Sequence, residues 1–202
     1  HLGLVQAEEQ ADLDVKIARS AELVAADCDI DGILRSMRPL LATPRRLPGR
    51  ARLGGAIAVA RDVAFAFAYP HLLQDWRDQG ARISFFSPLA DQAPAPDADA
   101  VFLPGGYPEL HAGRLAAAGT FRAGMRAAAD RGALIYGECG GYMVLGESLT
   151  DADGQAHRML GLLPVSTSFA RKTLHLGYRR LTPLGDLPWT GQLSAHEFHF
   201  AS

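Results

Sequence analysis

The feature that most restricts the fold is an alternation of short apolar runs with helix-like segments, beginning near residue 56. The apolar runs cover residues 56–60, 82–87, 100–103 and 133–136, and each suits a strand buried on both faces. Helix-like segments separate them at residues 71–79, which Gly80 closes, and at residues 109–131. Strand–helix repetition of this kind predicts an α/β fold, with an open, mostly parallel sheet and helices on both faces.

The two ends of the chain have sequence patterns that differ from the strand–helix alternation of this central part. After about residue 148 the pattern changes to short segments with turns at residues 158–169, 174–181 and 192–200, which predict antiparallel strands added to the sheet. Residues 1–5 suit a strand, and residues 10–38 have helical periodicity. Residues 43–52 are rich in Pro, Gly and Arg and predict a linker between a segment 1–42 and a domain 53–202.

Composition excludes several classes of function. The 202 residues carry a formal net charge of −2, so the charge gives no indication that the protein binds nucleic acid or a membrane surface. No apolar run reaches membrane-spanning length and no signal peptide opens the chain, so we expect a cytoplasmic protein. The two cysteines, Cys28 and Cys139, lack metal-ligand spacing, so no metal site or disulfide is expected. Phosphate-loop and dinucleotide fingerprints are absent, so this chain by itself is not expected to bind ATP or a dinucleotide.

A candidate nucleophile lies directly after the fourth apolar run. Residues 137–141 read Gly-Glu-Cys-Gly-Gly, which has the layout of a nucleophile elbow with Cys139 in the place of serine. Glycines suit the strained turn, and a following helix N-terminus would lower the pKa of the thiol. A buried structural cysteine beside a glycine-rich turn is the alternative.

Donors for an oxyanion are expected close to this cysteine. Gly140 follows the nucleophile, and Gly105 or Gly106 ends the third predicted strand. Ligands in parallel sheets bind at the carboxyl ends of the strands, where both segments fall. A tight turn is the simpler explanation of Gly105 and Gly106, but their pairing with Cys139 favours function.

A base for the thiol is harder to place. In residues 194–200, strand alternation puts His196 and Phe198 on one face and Glu197 and His199 on the other, so the latter two are a candidate carboxylate–imidazole pair. Two partly buried structural histidines are the alternative. The remaining histidines are expected at the surface, without partners: His71, His111, His157 and His175.

Five separated segments resemble one known family. They are residues 57–62 (Ile-Ala-Val-Ala-Arg-Asp), 103–110 (Leu-Pro-Gly-Gly-Tyr-Pro-Glu-Leu), 136–143 (Tyr-Gly-Glu-Cys-Gly-Gly-Tyr-Met), 176–179 (Leu-Gly-Tyr-Arg) and 196–199 (His-Glu-Phe-His). Together they resemble the glutamine amidotransferase domain of cobyrinic or hydrogenobyrinic acid a,c-diamide synthases. The resemblance covers about residues 53–202 and implies a flavodoxin-like class I amidotransferase fold.

The resemblance also implies an activity. The domain would hydrolyse glutamine through a thioester on Cys139, with the backbones of Gly106 and Gly140 in the oxyanion hole and Gly105 and Gly141 beside them. A synthetase domain using ATP and Mg²⁺ would pass the ammonia to the a and c carboxylates of the corrinoid, and residues 1–42 resemble the end of that domain. The corrinoid, its cobalt content and the assembly, for which a homodimer is one option, stay open.

One departure concerns the base. In this family the activating histidine lies on a strand well after the His-Glu-Phe-His segment, and no such motif occurs before Ser202. We therefore expect that His199 is not the base and that the chain is truncated before the residue that activates Cys139. On its own the chain is then expected to be a weak or inactive glutaminase. The alternatives are an amidotransferase of the cobyric acid synthase type, a non-catalytic binding module of the same shape, and, more remotely, a cysteine peptidase or hydrolase.

Overall fold

The structure is a computed structural model that describes residue 7 and residues 10–38, 51–185 and 187–202. The chain divides into two compact units, His1–Leu47 and Pro48–Ser202. In the first unit lie α1 (Leu13–Asp27) and α2 (Ile30–Ser36), in which no residue is buried. The predicted helical segment 10–38 is thus two helices, because Cys28 is extended and Asp29 caps α2 by accepting from Gly32 N at 2.8 Å. The predicted strand 1–5 and most of the linker 43–52 lie outside the described residues.

The second unit is built on a four-stranded parallel sheet. Its strands are β1 (Ala56–Ala60), β2 (Arg82–Phe86), β3 (Ala100–Leu103) and β4 (Leu134–Gly137), in the order β2-β1-β3-β4. Every neighbouring pair is parallel, and the register places Leu103 beside Gly137. The predicted parallel sheet is confirmed, and the segments after β3 and β4 leave the same edge side by side.

Helices cover both faces of this sheet. They are α3 (Pro70–Asp78), α4 (Ala112–Ala117), α5 (Gly119–Asp130) and α6 (Gly140–Leu145). Trp76 of α3 packs on one face, where its ring meets Phe102 at 5.7 Å. Phe121 of α5 meets Phe86 at 6.3 Å on the opposite face. The large side chains of both layers are fully buried, so the sheet is the centre of the core.

The single helix predicted over residues 109–131 is wrong in detail. The segment is a 3₁₀ turn (Pro108–His111) followed by α4 and α5, with a break at Ala118, whose ψ is 86°. The new start at α5 is fixed from outside the segment, because Asp91 Oδ1 accepts from Phe121 N at 2.9 Å. No local pattern could reveal that contact.

The C-terminal strands form separate sheets. β5 (Ser148–Thr150), β6 (Ala156–Arg158) and β7 (Ser166–Ser168) make one, and β8 (His175–Leu181) and β9 (Leu193–His199) make the other. The predicted antiparallel pairing is confirmed for β5–β6 and β8–β9, but β5 and β7 are parallel. The prediction that these strands extend the main sheet is wrong within the described residues. The chain after β6 instead runs past the end of α6, where Leu162 N donates to Leu145 O at 2.9 Å.

Candidate active site

Cys139 lies in a strained elbow between β4 and α6. Its backbone has φ 49° and ψ −115°, and apart from Asp91 no other non-glycine residue in the described part of the chain has a positive φ. Such a conformation is costly for a residue with a Cβ and persists only where its surroundings hold it in place. The strain expected of a nucleophile elbow is therefore present at the residue predicted to be the nucleophile.

Glycines let the backbones around the elbow approach closely. A Cβ on Gly141 would lie 1.9 Å from the carbonyl oxygen of Leu103, so α6 packs on the end of β3 with no room for a side chain. A Cβ on Gly106 would lie 2.1 Å from the carbonyl oxygen of Ala64. Gly141 thus serves packing between α6 and β3, whereas Gly106 is pressed between the loop after β1 and the elbow.

Two backbone N–H groups face the sulfur of Cys139. They belong to Gly140 and Gly106, and hydrogen bonds from both lower the pKa of the thiol. Gly105 adjoins the same sulfur, and its carbonyl accepts from Phe67 N at 3.0 Å, which fixes the turn. The arrangement brings the donors expected from the sequence to the sulfur, next to the position where the carbonyl oxygen of an attacked carboxamide would become an oxyanion.

The net effect on the thiol is the opposite of the expected one. The pKa of Cys139 is raised, because removal of water is the largest influence and the nearby carboxyls of Glu109 and Glu138 add to it. The two N–H groups oppose this shift without reversing it. Cys139 is exposed at its outer side, but the protein around its sulfur is dense enough to disfavour the thiolate. The prediction that the helix start would lower this pKa is wrong for the net shift.

A pocket opens beside the thiol. It has a volume of about 550 Å³, and its lining includes Glu138, Cys139, Tyr142, Thr167 and Phe198. The elbow forms one wall, and β7, β9 and the last residues of the described chain form the other. Its size and position next to the nucleophile suit a small amide substrate.

Glu197 and His199 form the pair predicted from strand alternation. Glu197 Oε1 lies 2.9 Å from His199 Nε2, and Glu197 also pairs with Arg179. The other ring nitrogen of His199, Nδ1, lies 2.9 Å from the carbonyl oxygen of Ala201. The bond from His199 holds the pKa of Glu197 below its usual range, so the carboxylate is ionised and can only accept. Each ring nitrogen of His199 therefore already has a partner other than Cys139.

Of the four histidines predicted to lie at the surface without partners, His71 and His175 are exposed, His111 and His157 are partly buried, and all four have neighbours that the prediction lacked. His157 is nearly buried, and its Nε2 lies 2.7 Å from Asp151 Oδ2 at the β5–β6 turn. His175 stacks on His199 with ring centroids 4.7 Å apart. His71 contacts Tyr69, and His111 weakly opposes the burial that raises the pKa of Glu109. His196 is exposed and contacts Tyr178, so it lines the pocket without a carboxylate partner among the described residues.

Sequence reasoning missed two titratable groups beside the nucleophile. Glu109 is only 8% exposed, and burial raises its pKa to about 7. The pKa of Tyr69 is also raised, first by burial and then by the charges of Glu138 and Cys139. Glu109 follows the Gly105–Gly106 turn by three residues, which is the one sequence signal that could have drawn attention to it.

The described residues contain no group of three or more His, Cys, Asp or Glu side chains arranged to hold a metal ion. None of the described helices is both long enough and apolar enough to cross a membrane.

A parallel sheet with a strained cysteine elbow at its carboxyl edge is the architecture of the class I glutamine amidotransferases. Residues 56–202 match the family described as the CobB/CobQ-like glutamine amidotransferase domain, and the chain belongs to that family. The resemblance found in the sequence is thereby confirmed.

Similar proteins extend the comparison to the whole chain. It is 58% identical to a hydrogenobyrinate a,c-diamide synthase of Brucella anthropi, 57% to one of Rhizobium meliloti and 52% to one of Rhodobacter capsulatus. Each match covers 100% of this chain and 47% of the relative. The chain thus spans about half the length of the curated relatives it matches.

Proposed function

We propose that this chain is the glutaminase part of an ATP-dependent ligase that amidates the a and c carboxylates of hydrogenobyrinate or cobyrinate. The observation that carries the proposal is the position of Cys139, in a strained elbow with two backbone N–H groups at its sulfur. Relatives named hydrogenobyrinate a,c-diamide synthase match all 202 residues, which supports this acceptor over the substrate of a cobyric acid synthase.

The proposed reaction begins with attack of the Cys139 thiolate on the carboxamide carbon of glutamine. The carbonyl oxygen becomes an oxyanion between the N–H groups of Gly106 and Gly140. Collapse of the tetrahedral intermediate breaks the C–N bond, and the nitrogen leaves as ammonia after taking up a proton. Water then hydrolyses the glutamyl thioester to glutamate and restores the thiol.

His199 is not the base in this proposal. Its two ring nitrogens lie 2.9 Å from Ala201 O and from Glu197 Oε1, so both already have partners in the wall of the pocket. Replacement of His199 by alanine should therefore leave the rate of Cys139 alkylation by iodoacetamide within about twofold of the original. An equally folded variant whose Cys139 had lost its reactivity would identify His199 as the activating group.

The ATP-dependent half is proposed to be joined to this chain through residues 1–42. Those residues lie outside the matched amidotransferase domain but inside the match to the longer relatives. The apolar side chains of α1 and α2 are exposed within their own unit, among them Val15 (68%), Ile17 (57%) and Leu34 (57%). Such faces are usual where a further part of a protein packs. ATP and Mg²⁺ would bind in that half.

A chimeric enzyme tests the whole proposal. In it, this chain replaces the matching half of the Rhodobacter capsulatus relative, and amidation of hydrogenobyrinate is followed with glutamine or ammonium chloride as the nitrogen source. We expect Cys139→Ala to abolish amidation from glutamine and to retain amidation from ammonia. Unchanged glutamine-dependent amidation in this variant would refute the role of Cys139. A chimera that hydrolyses glutamine but amidates no corrinoid would refute the acceptor.

The second candidate is a binding module that keeps the elbow without catalysis. The raised pKa of Cys139 is the observation in its favour, since it describes a thiol that is mainly protonated at neutral pH. The strained φ of 49° argues against it, because binding alone does not require that strain.

A further inference from the structure

The wall of the pocket that faces the elbow includes one end of a long hairpin. Its strands, β8 and β9, pair over seven residues each, from His175–His199 to Leu181–Leu193. Every residue of β8 except Gly177 is exposed, so the hairpin has little cover of its own. A two-stranded hairpin is at best marginally stable by itself. The position of the pocket wall therefore depends on where the hairpin is attached to the rest of the domain.

The base of the hairpin is attached to β7. Ser168 N donates to Ser202 O at 2.8 Å, and Ser202 N donates to Ser168 O at 3.0 Å. Thr173 N donates to Phe200 O at 3.2 Å, which continues the pairing beyond the two strands. These bonds join the base to the small sheet of β5, β6 and β7. They fix one end of the hairpin and leave its tilt to be set elsewhere.

The second attachment lies at the opposite end, in the loop that joins β8 to β9. Trp189 Nε1 donates to Ala51 O at 3.0 Å. Its half-buried ring packs edge to face with the ring of Tyr136, with centroids 5.1 Å apart. Tyr136 stacks in turn on Phe102 of the core at 5.5 Å. Because Tyr136 is a residue of β4, the loop is attached to the strand that leads into Cys139.

We propose that Trp189 is a positioning residue, which sets the place of the β9 wall relative to Cys139 and thereby the affinity for glutamine. The inference rests on the proposed function, because it takes glutamine as the ligand of this pocket. Residues 196–199 line the pocket from the end of β9 that lies farthest from Trp189. Trp189 is not among the described residues that line the pocket, so it acts through β9.

The hairpin transmits the position of its loop to the pocket. Seven consecutive pairs make β8 and β9 a continuous ribbon, so a loop that leaves Tyr136 tilts the ribbon about its base. The side chains of residues 196–199 then move relative to the elbow. The elbow itself stays unchanged, because Gly106 and Gly140 belong to the segments that follow β3 and β4. Loss of Trp189 should therefore weaken ligand binding without altering the thiol.

The size of the effect follows from the two contacts of Trp189. An aromatic pair and a neutral hydrogen bond together favour the attached loop by a factor of about ten. When they are removed, a smaller fraction of molecules has the wall in place. The apparent affinity for glutamine falls in proportion to that fraction.

The experiment measures occupancy of the pocket and requires no turnover. Alkylation of Cys139 by iodoacetamide is followed on its own peptide by mass spectrometry, which separates it from Cys28. L-glutamine is added as the protecting ligand. We expect Trp189→Ala to raise the protecting concentration about tenfold and to leave the rate without glutamine within about twofold. Trp189→Phe keeps a ring against Tyr136 and loses the bond to Ala51, so it should raise that concentration about threefold.

Two control variants separate positioning from general stability. Leu184→Ala alters the same loop at a side chain that is 99% exposed, and should leave protection unchanged. Phe121→Leu weakens the core on the face of the sheet opposite Trp189, and should also leave protection unchanged. Hydrogen exchange of the peptide 193–199 gives a second readout. Exchange should be faster in Trp189→Ala and should stay at the original rate in both controls.

The outcomes separate this inference from the function on which it rests. Unchanged protection in Trp189→Ala, or equal weakening in Phe121→Leu, would overturn the role of Trp189 and leave the pocket a glutamine site. A large change in the alkylation rate without glutamine would also overturn it, because the elbow itself would then be disturbed. If the alanine variant does not fold, the threefold change in Trp189→Phe decides in the same way. Failure of L-glutamine to protect Cys139 in the unaltered protein would refute the proposed function, and the inference with it.

Discussion

Gly106 and Gly140 meet backbone to backbone across the carboxyl edge of the sheet. A Cβ on Gly140 would lie 3.0 Å from the carbonyl oxygen of Gly106 and 3.1 Å from its nitrogen. The two residues belong to segments that leave neighbouring strands, β3 and β4, and both direct N–H groups at Cys139. The approach of two strand ends therefore creates the donor pair, and no single motif contains it.

Substitution of Gly106 tests this approach. A methyl group there would lie 2.1 Å from the Ala64 carbonyl oxygen, and neither backbone can move without shifting the turn. We expect Gly106→Ala to lower the free energy of unfolding by about 1–3 kcal/mol and to slow Cys139 alkylation about tenfold. Gly119→Ala is the control, because a Cβ there meets nothing within 4 Å. Equal behaviour of the two variants would contradict the account of the turn.

Glu109 should make stability fall as the pH rises. Burial raises its pKa from 4.5 to about 7, so its contribution to stability is complete below about pH 4.5 and is lost as the pH passes 7. The shift corresponds to about 3 kcal/mol at most. Glu109→Gln should remove this loss when urea unfolding is compared at pH 5 and pH 8, whereas Glu147→Gln should not. A variant as pH-dependent as the original protein would show that Glu109 does not ionise in this range.

Asp151 should act in the opposite direction. Its bond from His157 holds the pKa of the carboxyl below its usual range, helped by the backbone N–H groups of Gln155 and Asp153. The stabilisation is present above the ordinary carboxyl pKa and is lost as the pH falls through the lowered one. We expect Asp151→Asn to unfold at a lower temperature at pH 7 and to approach the original protein near pH 3. Parallel melting curves at both pH values would rule out this linkage.

Trp76 should be the main contributor from α3 to the core. Its side chain is 0% exposed and packs on Phe102 and the apolar face of the sheet. Truncation leaves a large cavity, so Trp76→Ala should lower the free energy of unfolding by about 3–5 kcal/mol. Leu184→Ala should change it by less than about 0.5 kcal/mol, since Leu184 is 99% exposed. Chemical denaturation of both variants provides the comparison, and a small loss in Trp76→Ala would mean that α3 repacks.

The parallel sheet and the elbow could be predicted because both depend on local patterns. Buried apolar runs predict β1 to β4, and the glycine-rich segment around Cys139 predicts the turn. The break at Ala118 could not be predicted, because the cap of α5 comes from Asp91, thirty residues earlier. The direction of the pKa shift of Cys139 could not be predicted either. That direction depends first on burial of the thiol and then on the charge of Glu109, and neither can be seen from the elbow alone.

The pair of Glu197 and His199 could be predicted only in part. Strand alternation places the two side chains on one face, and their bond confirms that placement. The partner of the other ring nitrogen depends on how the chain turns after β9, because that turn brings Ala201 O to 2.9 Å from His199 Nδ1. The sequence therefore predicted the contact, and the chemistry of the ring followed only from the structure.

Covalent labelling shows directly whether Cys139 is a nucleophile for glutamine. The measurement is site-resolved mass spectrometry after incubation with 6-diazo-5-oxo-L-norleucine, a glutamine analogue that alkylates amidotransferase thiols. We predict saturable labelling of Cys139, competition by L-glutamine and no labelling of Cys28, which is exposed and does not line the pocket beside Cys139. Labelling of both cysteines in parallel, or of neither, would contradict it.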